Sequence, residues 1–186
     1  MLIIQLHLLI LTIKWSIEYR IPIMSWQRKQ ITVSTIQSLS ALLIRKKSNN
    51  KPLLVLISGC PGSGKSTLSF ELLKVLPFDC KHYEADQYFL TSEGYSFNAN
   101  KLPDAHNYCL SSTDIALYNG ISVIVSNTFT KDWEIKKYID LGYNTVIIQC
   151  LGEFDNIHDC PKYVVDKMKE NLKVRKTNPD ILYNPE

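Results

Sequence analysis

An unbroken apolar run, Leu53-Leu54-Val55-Leu56-Ile57, leads almost directly into Gly59-Cys60-Pro61-Gly62-Ser63-Gly64-Lys65-Ser66-Thr67. After it, Leu68, Leu72, Leu73 and Leu76 recur at helical spacing until Pro77. The order is buried strand, glycine-rich turn, amphipathic helix. A strand with no polar position is covered on both faces, as in parallel sheets. A strand followed by a crossover helix commits the chain to α/β layers with right-handed connections. The GxxxxGK[ST] spacing arises by chance in well under about one chain per hundred of this size at ordinary residue usage. Its strand and helix flanks are the context the motif requires.

The residue types explain the chemistry of such a loop. Glycines let backbone N–H groups turn inward and approach phosphate oxygens. The helix start adds partial positive charge. Lys65 supplies an ammonium to the outer phosphates, and Thr67 supports an inner one. The Ser66 hydroxyl suits Mg²⁺, which is held jointly by protein and phosphate oxygens. Cys60 lies in the loop without an assigned role. The expected ligands are therefore ATP and Mg²⁺.

The 186 residues suit one domain with a full core. With 45% apolar and 21% charged residues, the chain is neither a disordered tail nor a collagen-like repeat. The net charge of +3 is unevenly spread. Residues 1–50 carry seven Lys/Arg against one acid, Glu18, a net of +6. Residues 51–186 carry 14 basic and 17 acidic groups, a net of −3. Phosphate-backbone binding needs clustered Lys/Arg, so the acidic part argues against a long duplex partner. Cys60, Cys80, Cys109, Cys150 and Cys160 are odd in number and lack CxxC spacing. That excludes a disulfide scaffold or a zinc ribbon and points to reduced thiols in a cytoplasmic protein.

Residues 1–13 are mostly apolar but too few to cross a bilayer as a helix, which takes roughly 20. Three readings stay open: a membrane anchor, a packed or mobile extension, and translated sequence ahead of a start at Met24. Ile31, Ile36, Leu39, Leu42 and Leu43 then suggest a helix capped by Thr32 or Ser34, with Arg45, Lys46 and Lys47 at its C-terminal end. That triplet is a solvated helix end or a phosphate-backbone contact. Ser48 to Pro52 reads as a linker. The expected division is an extension over 1–50, a P-loop domain over 51–176 and a tail over 177–186.

Further strands are expected at 81–84, 121–125 and 145–148, and further helices at 102–118, 131–141 and 161–173. The fold expected is a three-layer P-loop NTPase sandwich with a mainly parallel sheet. Ligands in such sheets lie at the carboxyl ends of the strands. Gly59–Thr67, Asp86, Asn127 and the 152–160 segment should therefore converge.

HYEADQYF after the second strand, YSFNANKLPDAHNYC across the next loop and helix, and VSNTFTKDWEIKKY after the third strand resemble the P-loop kinase-type ATP-binding proteins common in phages and viruses. These are similar to the kinase domain of polynucleotide 5′-kinase. The resemblance covers residues 52–173. It implies that Asp86 is the general base for an accepting hydroxyl, a role a carboxylate near the γ-phosphate can fill. Asp86 could instead cap the following turn. His106 falls on the acceptor-side helix, facing substrate or packing. Tyr88 and Phe89 could stack on a base or pack in the core.

Two departures stand out. The resembled pattern has an Asp after the third strand in the metal-supporting position, where this chain has Asn127, whose amide can hold a Mg²⁺-bound water but brings no charge; Thr128 and Ser126 are also available there. It also places arginines in the lid over ATP, whereas residues 51–186 contain one, Arg175. Arginine donors can contribute about 10³–10⁵ in rate. Lys131 or Lys162 could substitute without the bidentate fork, and His158 could face a phosphate or structure the lid. Three functions follow: a kinase acting on a nucleic acid or nucleotide 5′-hydroxyl, an ATP-binding or slowly ATP-hydrolysing regulatory module without acceptor chemistry, and a small-molecule or nucleotide-sugar kinase similar to zeta-type toxins.

Overall fold

The computed structural model describes residues 31–47, 51–154 and 160–185. The apolar stretch 1–13, the linker residues 48–50 and His158 lie outside them.

Six strands form one parallel sheet: β1 (Ile31–Val33), β2 (Leu53–Ser58), β3 (Cys80–Tyr83), β6 (Ser122–Ser126), β7 (Asn144–Cys150) and β8 (Ile181–Tyr183). Their spatial order is β1-β8-β7-β2-β6-β3. A small antiparallel hairpin, β4 (Leu90–Thr91) and β5 (Gly94–Tyr95), stands apart. The helices are α1 (Ile36–Lys46), α2 (Lys65–Val75), α3 (Leu102–Tyr118), α4 (Asp132–Ile139) and α5 (Lys162–Val174). No helix of the described residues is long and apolar enough to cross a membrane.

The apolar run at β2 explains the layering. Side chains alternate across a strand. Leu53, Val55 and Ile57 pack with Leu39 and Leu43 of α1 and with Leu68 and Leu72 of α2. Leu54 and Leu56 pack with Leu117 of α3 and Ile135 of α4 on the other face. β2 is buried along its whole length because β6 and β7 flank it. The result is three layers, with helices on both faces of one parallel sheet.

The expected boundaries at 50 and 177 do not hold. Ile31-Thr32-Val33 is not the start of a helix. It is a strand, paired with Ile181-Leu182-Tyr183, which in turn pairs with Ile148-Gln149-Cys150. Two of its three residues are β-branched aliphatics, which favour extended backbone. The cap moves to Thr35, whose Oγ1 accepts from the Ser38 N–H at 3.2 Å. Leu39 and Leu43 are fully buried, so α1 belongs to the core. The loop expected at 91–100 also holds the β4–β5 turn and a 3-10 turn at Ala99–Lys101.

Candidate functional site

The segments after β2, β3, β6 and β7 meet at one edge of the sheet. Gly64 caps α2 with φ 84°, a left-handed conformation that glycine tolerates. Lys65 opens the helix, and its Nζ donates to the Cys60 carbonyl at 2.8 Å. Burial pushes the Lys65 ammonium down from the ordinary lysine range, while the nearby Glu84 and Asp86 carboxylates oppose that. Ser63 Oγ is buried with no hydrogen-bond partner among the described residues. An orphan hydroxyl costs free energy unless a ligand satisfies it. It lies against Gly59, leaving no room for a Cβ there, and a ligand oxygen bound in the loop would satisfy it.

The largest surprise is Glu84. Ser66 Oγ donates to its Oε1 at 2.6 Å, and Ser126 Oγ donates to the same oxygen at 2.5 Å. His82 Nε2 lies 2.6 Å from Ser126 Oγ and 3.3 Å from Glu84 Oε1. Burial alone would raise the Glu84 carboxyl. The hydrogen bonds from His82, Ser126 and Ser66 overcome it and hold the group at about 2. Strand register builds this cluster. β3 and β6 pair His82 with Ile124 and Tyr83 with Val125, so the next pair is Glu84 beside Ser126. A polar Ser126 ending an apolar strand, level with an acid two residues before Asp86, is the sequence signal that could have revealed it.

Asn127, in the metal-supporting position of the resembled pattern, bonds within the protein. Its Oδ1 accepts from the Ala85 N–H at 3.0 Å, and its Nδ2 donates to Cys109 Sγ at 3.7 Å. Those bonds lock the turn after β3 to β6 and α3. The acid joined to the Ser66 hydroxyl is Glu84. Ser66, Glu84 and Ser126 give a cluster of hard oxygen donors, which suits Mg²⁺ shared with phosphate oxygens.

Asp86 sits in the first turn of the 3-10 segment Ala85–Phe89, close enough to Lys65 to share its field. Its carboxylate is hydrogen-bonded with the Tyr95 hydroxyl. His106 is exposed on α3. Lys131 is exposed and caps α4, its N–H donating to Glu134 Oε2 at 3.1 Å. Lys162 lines a cavity of about 300 Å³ bounded by Cys60, Pro61, Gly62, Phe154 and Lys169. Phe154 closes onto the loop, its N–H donating to the Gly62 carbonyl at 2.8 Å. A Cβ on Gly152 would stand 2.6 Å from the Phe154 ring and 2.9 Å from the Ser63 carbonyl oxygen.

Arg175 is not at the site. It is buried, its Nη1 donates to the Phe129 carbonyl at 2.7 Å and its Nε to the Thr177 carbonyl at 2.9 Å. It steadies Phe129, the residue with φ 45°.

An AAA domain family model matches residues 54–151, more than half of the 186 residues. NEDD4-binding protein 2 of Homo sapiens is 32% identical over 130 residues, which is 68% of this chain and 7% of that protein. The chain thus spans a small part of that relative's length. The crystal structure of APE1195 superposes with a TM-score of 0.50 at 22% identity, over 74% of this chain and 87% of the other. The APS kinase of Mycobacterium tuberculosis gives 0.49 at 17% identity, over 73% and 87%. A chain of the Pnkp1/Rnl/Hen1 RNA repair complex gives 0.48 at 19%, over 73% and 43%. The family match runs from β2 through β7 and contains the phosphate loop, Glu84, Asp86 and Asn127. The chain belongs to the AAA domain family, in its P-loop kinase-like form.

Proposed function

We propose that this protein is an ATP-dependent phosphotransferase whose leading acceptor is the 5′-hydroxyl of a nucleic acid or nucleotide. The observation that carries this reading is the meeting of Lys65, the Ser66–Glu84 pair and Asp86 at the carboxyl ends of β2 and β3. One group neutralises transferred charge, one pair suits a cation, and one carboxylate is available to an acceptor.

In the step itself, the acceptor oxygen attacks the γ-phosphorus and its proton passes to the Asp86 carboxylate. The bond from the γ-phosphorus to the β,γ-bridging oxygen breaks, and ADP leaves with that electron pair. The Tyr95 hydroxyl fixes the Asp86 carboxylate. Lys65 follows the charge on the outer phosphates, exchanging its bond to the Cys60 carbonyl for phosphate oxygens. Glu84 orients the Ser66 hydroxyl and, with Ser126, offers further oxygens. Mg²⁺, when bound there, would neutralise phosphate charge as it does in phosphoryl transfer generally.

A second reading is an ATP-binding module that hydrolyses slowly and has no acceptor. The engagement of Arg175 elsewhere favours it, because that guanidinium is unavailable to the transferred group. The two separate on one assay. Incubation of γ-labelled ATP and Mg²⁺ with 5′-hydroxyl oligonucleotides, nucleosides or no acceptor should place label on an acceptor, and Lys65→Ala should abolish it. Label found as free phosphate alone would select the hydrolytic module.

A further inference from the structure

Apart from the Tyr95 hydroxyl, the aromatic side chains near Asp86 remain outside the mechanism above. Tyr88, Tyr95, Phe97 and Tyr108 are 38%, 45%, 56% and 47% exposed. They come from four neighbouring pieces of chain: the 3-10 turn, β5, the loop after it and α3. Phe89, only 3% exposed, anchors three of them, and Tyr108 meets Tyr88. The Phe89 ring centroid lies 5.6 Å from Tyr88, 6.2 Å from Tyr95 and 5.2 Å from Phe97, and Tyr88 lies 5.9 Å from Tyr108. Tyr88 pairs with Tyr108, while Tyr95 and Phe97 lean on Phe89. The result is two adjacent pairs of half-exposed rings. Tyr88, Tyr95 and Phe97 are fixed by edge contacts to a buried ring, and Tyr108 is tilted against Tyr88, so the rings present aromatic surface at little entropic cost. A lone packing role would bury them more fully.

We propose that these rings form a stacking platform for the 5′-terminal bases of a single-stranded nucleic acid acceptor, with its hydroxyl directed at Asp86. The proposal rests on the phosphotransferase reading. Position supports it first, because the Tyr95 hydroxyl is bonded to Asp86, so the platform starts at the candidate base. Charge supports it next. Between residues 87 and 108 the ionisable groups other than tyrosines are Glu93, Lys101, Asp104 and His106, and Lys101 is paired with Asp104 at 3.3 Å. Such a surface does not select anionic acceptors by their phosphate or sulfate. It selects flat rings, whose stacking on an aromatic side chain contributes about 1–3 kcal/mol per base and tolerates any sequence. Extent favours a strand over a nucleoside, since two ring pairs offer more surface than one base covers. A duplex end has its bases already paired and stacked, so the single strand fits better.

The test uses the full chain and a 3′-fluorescein hexathymidylate with a free 5′-hydroxyl. Phe97→Ala and Tyr108→Ala should each weaken its binding by about 5-fold to 150-fold, the range that stacking implies, with ATP affinity unchanged. The salt dependence should be shallow, with a log–log slope no steeper than about −1.4, the value for two phosphates on a single strand. As a check independent of variant folding, a 5-iodouracil version should photocrosslink in the wild-type chain to one or more of the four rings. Equal binding by both variants, crosslinks only elsewhere, or thymidine binding as tightly as the hexamer would overturn the proposal. So would self-association of the chain that Phe97→Ala dissolves, because a second copy would then be the occupant. Ring-dependent binding without phosphate transfer would overturn the phosphotransferase reading and leave the platform standing. Transfer that ignores both ring variants would do the reverse.

Discussion

Ser66 Oγ and Glu84 Oε1 are 2.6 Å apart, a hydrogen bond that ties the phosphate loop to the carboxyl end of β3. It joins the hydroxyl expected to meet Mg²⁺ to a carboxylate held at about 2 although partly buried. The same oxygen receives Ser126, so two strands and the loop share one acceptor.

Replacing that acceptor has a signed pH consequence. A carboxyl depressed in the folded state stabilises above its unfolded value, near 4.3, and that contribution is lost as pH falls through the folded value. For Glu84 the window runs from about pH 4.5 to about 2. In urea titrations with EDTA present, wild type should lose stability across that window more steeply than Glu84→Gln. At neutral pH the variant should be weaker by about 1.5–3 kcal/mol, the range for hydrogen bonds to charged groups. Parallel pH profiles would show that Glu84 titrates normally.

Glu84→Gln should also change how the protein senses Mg²⁺. By isothermal titration, wild type should bind ATP more tightly with Mg²⁺ than with EDTA. The variant should lose most of that difference, while Asn127→Ala should lose stability and keep the difference. The opposite pattern would return the metal role to Asn127.

Gly152→Ala tests the contact of the loop with Phe154. The new Cβ meets the Ser63 carbonyl at 2.9 Å and the Phe154 ring at 2.6 Å. The ring can move, but the loop backbone cannot without losing its phosphate geometry. ATP affinity should fall about 10-fold, or about 1.4 kcal/mol, with overpacking costing about 1–3 kcal/mol of stability.

Arg175→Ala should unfold about 2–3 kcal/mol more easily, since it strands the Phe129 and Thr177 carbonyls. ATP affinity of the folded variant should match wild type. A selective loss of nucleotide binding would place Arg175 at the site after all.

Much of this was legible in the sequence because the signals are local. The apolar β2 run, the glycine spacing and Pro77 set the strand, loop and helix. What escaped depends on register. Glu84 matters because β3 and β6 pair so as to bring it to Ser126. Well before the loop motif, Ile31-Thr32-Val33 is too short to reveal a strand by periodicity. Its partner at 181–183 is distant in sequence. Asn127 occupied the expected slot, yet its amide is committed to Ala85 and Cys109.

The most direct measurement is transfer of label from γ-labelled ATP to a 5′-hydroxyl oligonucleotide, comparing wild type with Asp86→Asn. Removing a general base costs about 10²–10⁴ in rate. Wild type should label the acceptor, and Asp86→Asn should fall by about that factor with ATP affinity preserved. An Asp86→Asn variant that labels as fast as wild type, or a wild type that binds ATP and labels no acceptor, would contradict it.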